Sequence, residues 1–195
     1  MLKYKFAIAP LSILIFLTTS CLVAGQIQRD GCCRRDINFV PNDDLSAFVG
    51  SWYMHSRYRI VIDENARCYK TEYTLDSNNV HRVKNFQISN ADGCGTLKTG
   101  TITPSDDNYI IVKFDDPQAH HYYYKILTFC DDFVIIYLCR EIPFTRKHNE
   151  FVWVHTKVRN PDQSVQDAYI SALNDQQLST ELELVSQDDC GNYDA

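Results

Sequence analysis

The sequence predicts an all-β fold: an eight-stranded antiparallel up-and-down barrel with one flanking α-helix near its C-terminus. Three observations point there. Apolar and polar residues alternate with period two through the middle of the chain. Short polar breaks of turn chemistry separate the alternating runs. A single helical pattern follows the last run, and one helix cannot cover eight strands, whereas a sheet that closes on itself removes both edges.

The first strand opens within FVGSWYMHSRYR (48–59). Seven more follow: CYKTEYTLD (68–76), VHRVKNFQIS (80–89), TLKTGTITP (96–104), NYIIVKFDD (108–116), HHYYYKILTFC (120–130), DFVIIYLCRE (132–141) and EFVWVHTKV (150–158). Tyr, Phe, Val, Ile and Thr dominate them, as half-buried pleated surfaces prefer. The breaks DSNN, SNADG, PSDDN and DDPQ are turn sequences. The period then changes. PDQSVQDAYISALNDQQL starts on Pro161 and Asp162 and sets Val165, Ala168, Tyr169, Ala172 and Leu173 on one stripe. A short strand, ELELV (181–185), and a tail reaching Cys190 end the pattern.

Residues 1–25 read as a secretory signal peptide, with Lys3 and Lys5 in front, an apolar run around LSILIFL, and small residues in LVAG. The run is too short and too interrupted by Ser and Thr for a membrane span, and no later stretch approaches that length. Residues 26–195 are then one secreted, extracellular domain without repeats or linker-like stretches. Loss of Lys3 and Lys5 takes the formal charge from −6 to −8. Such an acidic surface argues against a nucleic-acid partner.

Eight cysteines are encoded, and Cys21 leaves with the leader. Cys32, Cys33, Cys68, Cys94, Cys130, Cys139 and Cys190 remain, an odd set for which disulfides are the default in an oxidising compartment. No CxxC pair supports a metal. His120 and His121 are adjacent, so on a strand they point to opposite faces and cannot share one ion. No GxSxG, HExxH or phosphate-loop signature is present, and an enzyme is not expected.

Gly50-x-Trp52 at the head of the first strand, the eight-strand meander and the late helix together resemble the lipocalin (calycin) family. Within it, RNP followed by a helix resembles the branch of apolipoprotein D and the insect bilin-binding proteins. The ordered pieces GSWY, CYKTEYTL, GTITP, YIIVKF, FVIIYLC, FVWV, RNP and a C-terminal cysteine carry the resemblance over residues 32–190. It implies that Gly50 turns the chain into the barrel floor and that Trp52 plugs it. A basic residue from the last strand would pack on the indole. Arg159 of RNP is the favoured partner, and Lys157, on the same face by spacing, is the alternative. Thr128-Phe129-Cys130 departs from the family's Thr-Asp-Tyr.

The relatives tie the N-terminal tail to the seventh strand and the C-terminal tail to the second. The resemblance thus implies Cys33 (or Cys32) to Cys139, and Cys68 to Cys190. Cys130, placed at the same end as the N-terminal tail, is expected to take the spare member as Cys32–Cys130. Cys94, in the turn after the third strand, is the leftover thiol.

A barrel of this size is either filled by its own side chains or holds one small ligand. Alternation points Ile110, Val112 and Phe114 inward and Lys113 outward. The third strand offers Val80 or Val83, and Phe86. Two faces of the sixth strand stay open, His120/Tyr122/Tyr124/Ile126 and His121/Tyr123/Leu127, and Tyr122 and Tyr124 join the candidate lining. The resemblance makes Trp153 a pocket-lining aromatic, and Ile60, in YRIVIDENAR (58–67), part of an open-end lid. The chain encodes 12 Tyr, 10 Phe and 2 Trp, surfaces that suit flat or ring-bearing apolar ligands.

The resemblance thus implies a secreted carrier of a small hydrophobic molecule: a bilin, carotenoid, retinoid, sterol or fatty acid. No cofactor is expected beyond a bound pigment or lipid, for example biliverdin. The alternative is a secreted interaction protein with a filled barrel, whose open-end loops bind a macromolecule. Composition and spacing do not fix the oligomeric state.

Overall fold

Strands that bury one face need partners on both edges, and here the sheet finds them by closing on itself. The computed structural model describes residues 27–42, 44–59, 66–119 and 121–191. Residues 1–25, expected to be a leader, lie outside them. Strands β2 (Gly50–Arg57), β3 (Ala66–Leu75), β4 (His81–Ser89), β5 (Gly95–Pro104), β6 (Ile110–Phe114), β7 (Tyr122–Phe129), β8 (Phe133–Glu141) and β9 (Lys147–Thr156) pair antiparallel in sequence order. Pairing of β9 with β2 closes the barrel.

Two short strands flank the meander. Strand β1 (Ile27–Asp30), absent from the sequence expectation, runs along Lys147–Glu150 of β9. Strand β10 (Glu183–Leu184), inside the predicted 181–185, pairs with Ser56 and Arg57 of β2. Strand β2 pairs with β3 only through Gly50–Tyr53. Above that point the C-terminal tail bridges them: the Val185 amide donates to His55 O, the Cys68 amide donates to Ser186 O, and Gln187 Nε2 donates to Met54 O and Tyr69 O.

Two cores lie on the two sides of the β8–β9 wall, and alternation decides which residue joins which. Outside the barrel, Phe133, Ile135, Tyr137, Val152 and Val154 pack under helix α1 (Gln163–Asp175), which contributes Tyr169 and Leu173. Of the predicted stripe, Tyr169 and Leu173 are buried, Val165 and Ala172 are half-buried, and Ala168 is exposed. Inside, Trp52, Val83, Ile102, Ile110, Val112, Phe114, Ile126, Val134 and Ile136 form one cluster. Under the N-terminal strap, buried Glu150 accepts from Arg29 Nε at 2.6 Å and Tyr137 OH at 3.0 Å. Burial, reinforced by the Glu150 charge, pushes the Tyr58 hydroxyl up to about 12.

The structure joins Cys33 to Cys139 and Cys68 to Cys190. The Cys32–Cys130 bridge is corrected: among the described residues, Cys32 and Cys130 are both unpaired, as is Cys94. Strand β1 carries the N-terminal tail along the start of β9, so Cys32 lies beside Cys33 near the far end of β8. Cys130 precedes the start of β8, and Cys139 is six residues past Phe133, about 20 Å along the strand. A disulfide tolerates no more than about 7 Å between Cα atoms.

Candidate ligand site

Strand direction sorts the barrel into a closed end, where β2 starts and β9 stops, and an open end with the β8–β9 turn. At the closed end a 3-10 turn (Leu45–Phe48) brings Phe48 under the barrel. Trp52 is fully buried, and its Nε1 donates to Phe48 O at 2.8 Å. Phe129 packs 4.7 Å from the Phe48 ring and 5.8 Å from Trp52. It occupies the position where the family's Asp was expected, and the substitution adds an aromatic to the floor.

The cation over Trp52 is Lys157, with Nζ 3.9 Å from the ring centroid. The Arg159 assignment is therefore corrected. Arg159 stacks on Tyr53 at 4.5 Å, and its Nη1 donates to Gln187 Oε1 at 2.7 Å. Both cations share a face by spacing, but β9 ends at Thr156, and the next residue is the one that overhangs the floor. Gly50 leaves room for it. A Cβ there would sit 3.1 Å from Lys157 Nζ, and its φ of +123° is a region that side chains rarely adopt.

Above the floor, aromatics line one side of the lumen in a continuous series. Phe114 meets Tyr122 edge-on at 5.7 Å, and Tyr122 stacks on Tyr124 at 6.3 Å. Tyr124 meets Trp153 edge-on at 5.6 Å, and Trp153 stacks on Phe151 at 5.6 Å. Phe114, Tyr124 and Trp153 share the inner cluster with Trp52 and Ile136, and alternation puts Tyr122 on the face of Tyr124 and Phe151 on the face of Trp153. Yet Tyr122 is 39% exposed, and Tyr124, Trp153 and Phe151 are only half-buried. These inward side chains are left partly exposed, whereas Ile110, Val112, Ile126, Val134 and Ile136 are buried.

The structure thus selects the Tyr122/Tyr124/Ile126 face of β7 as the inner one. Ile110, Val112 and Phe114 point inward and are buried, and Lys113 points out. Phe86 is corrected to the outer face. It opposes Lys70 on β3 and Leu97 on β5, and it packs on the Cys68/Ile88/Cys190 cluster. Val83 is the inner apolar residue of β4, and a separation of three cannot place Val83 and Phe86 on one face. Ile60 lies outside the described residues.

Phe151 was missed, although it stands two residues from Trp153 and period two gives it away. His155 was also missed. It faces inward between Met54 and Val134, is buried, and burial lowers its pKa to about 4. The imidazole is therefore neutral at physiological pH.

The model of the lipocalin / cytosolic fatty-acid binding protein family matches residues 49–182. The chain belongs to that family. It is 24% identical to the bilin-binding protein of Pieris brassicae over 146 residues, 72% of this chain and 75% of the relative. It is 22% identical to the Lazarillo protein of Schistocerca americana over 151 residues, 75% of this chain and 68% of the relative. Among solved structures, insecticyanin from the tobacco hornworm Manduca sexta aligns with a TM-score of 0.73 at 20% identity, covering 83% of this chain and 89% of that one. Apocrustacyanin C2 aligns with a TM-score of 0.66 at 16% identity, covering 83% and 92%. These likenesses confirm the barrel.

Proposed function

We propose that this lipocalin is a secreted, non-enzymatic carrier that buries one small hydrophobic molecule in its barrel. The observation behind this reading is the inward aromatic series from Phe114 through Tyr122, Tyr124 and Trp153 to Phe151, half-open to solvent. A barrel filled by its own side chains would bury these rings, so the same observation disfavours the interaction-protein alternative. Burying a ligand there gains about 25 cal/mol for each Å² of apolar surface removed from water. Rings presented both edge-on and face-on suit a conjugated or ring-bearing ligand. Trp153, Tyr124, Tyr122, Phe151 and Phe114 would be the contact residues, with Ile110 and Val112 beneath them.

A bilin is the favoured occupant among bilin, carotenoid, retinoid, sterol and fatty acid, because a relative is named for bilin binding. Two disulfides, one closing a separation of 122 residues, accord with an oxidising extracellular setting. The test is an absorption spectrum and mass analysis of protein purified from its native source. Visible bands with a co-purifying small molecule are expected. Colourless protein that carries no small molecule and displaces no fluorescent fatty-acid probe would overturn the carrier reading.

A further inference from the structure

The inner face of β9 reads, from the open end down, Phe151, Trp153 and His155, and the next inward position is Lys157 on the Trp52 plug. His155 is thus a polar side chain set between the aromatic wall and the floor. It is 5% exposed, and its Nδ1 has no hydrogen-bond partner among the described residues. On β4 the inward residue next to Val83 is Asn85, whose Oδ1 is likewise buried and unpartnered. Between Asn85 and Trp52 in register stands Thr71, buried at 7%. Polar atoms buried without partners are rare in native proteins and costly to keep. Apolar residues would seal this level of the barrel more stably, so two orphans facing one lumen point to a group that arrives with the ligand.

We propose that His155 and Asn85 form a polar seat above the plug, which holds the inserted end of the ligand by hydrogen bonds. The chemistry of the seat narrows the ligand class. Asn85 Oδ1 is an acceptor and needs a donor, and a neutral His155 Nδ1 is met in either tautomer by a group that both donates and accepts. The inserted end therefore carries an O–H or N–H group, such as a hydroxyl, lactam or pyrrole, on an otherwise apolar ring-bearing body. Pure hydrocarbons leave both orphans unmet. The neutral state of His155, held there by burial, offers no charge to a carboxylate at this depth. An acidic group on the same ligand sits toward the mouth.

This inference rests on the carrier reading, and the experiment separates the two. Binding of retinol and of axerophthene, the same polyene without its hydroxyl, is followed by quenching of tryptophan fluorescence. Hexadecanol and hexadecane are compared in parallel by displacement of a fluorescent apolar probe. The wild type is expected to prefer each alcohol by about tenfold, the factor that one buried hydrogen bond carries. His155→Leu should collapse the preference while still binding the hydrocarbons, and His155→Gln should retain most of it. Asn85→Leu supplies an independent arm at the second orphan. Equal affinity for alcohol and hydrocarbon in the wild type would overturn the seat and leave the carrier standing. A preference that survives both leucine variants would also overturn it. Failure of all four compounds to bind would overturn the carrier reading and the seat with it.

Discussion

The two tryptophans show how one side-chain type serves opposite purposes at the two ends of this barrel. Trp52 is fully buried, its N–H is spent on Phe48 O, its ring is capped by Lys157, and Phe129 packs on its flank. Trp153 also faces inward, with ring neighbours on two sides, but it is left half-open to solvent. A satisfied and sealed aromatic holds the fold together. An aromatic with neighbours on some sides and solvent on another keeps contact surface for something else. The lesson lies in the completeness of the surroundings rather than in the residue type.

The largest way to break this contrast is Trp52→Ala. It removes a large core side chain at a site that cannot collapse, because strands surround it. Stability should fall by about 3–5 kcal/mol, a loss of roughly 10 °C in Tm. An unchanged Tm would contradict the plug.

Acid should expose the next difference. His155 titrates near 4 in the folded chain, below its ordinary value of 6.5, because burial disfavours the charged form. The unfolded chain takes up its proton first as pH falls. The stability due to neutral His155 is therefore complete above about pH 6.5 and is lost progressively towards pH 4. It amounts to about 3 kcal/mol. His55, also lowered by burial, adds in the same direction. Urea unfolding at about pH 7, 5.5 and 4.5 should show the decline, and His155→Leu should flatten it. A variant that loses as much stability as the wild type would contradict this assignment.

The smallest effect sharpens the correction at the closed end. Lys157→Met should cost about 0.5–1 kcal/mol, as an exposed cation–π pair is worth. Arg159→Met should leave the environment of Trp52 unchanged, as read by indole fluorescence. A fluorescence change in the Arg159 variant alone would reverse the assignment.

Much of this arrangement was legible in the sequence, because period two and turn chemistry are local. The seven later strands and the helix fall within a few residues of the expected positions, and Gly50-x-Trp52 marked the closed end. What was misread depends on long-range path. Strand β1 is four mostly polar residues, IQRD, that become a strand only because β9 offers an edge. Without it, Cys32 could not be placed near the far end of β8. Lys157 and Arg159 have equal spacing credentials, and only the end of β9 separates them. Phe86 illustrates the reverse failure: counting from Val83 was enough to turn it outward. His155 stands two residues from Trp153, so period two turns it inward as well; what the sequence does not reveal is that burial leaves its Nδ1 without a partner among the described residues.

The central claim is that the closed end carries the fold and the aromatic wall carries the ligand. Its most direct test is the affinity of Trp153→Ala for a fluorescent fatty-acid probe, titrated beside the wild type with Tm recorded on the same samples. The account predicts affinity about tenfold weaker or more, because the indole's apolar surface no longer shields the probe from water. The accompanying loss of Tm should be smaller than the one Trp52→Ala causes. Unchanged affinity together with a collapse of Tm would contradict the claim, because Trp153 would then be one more core residue.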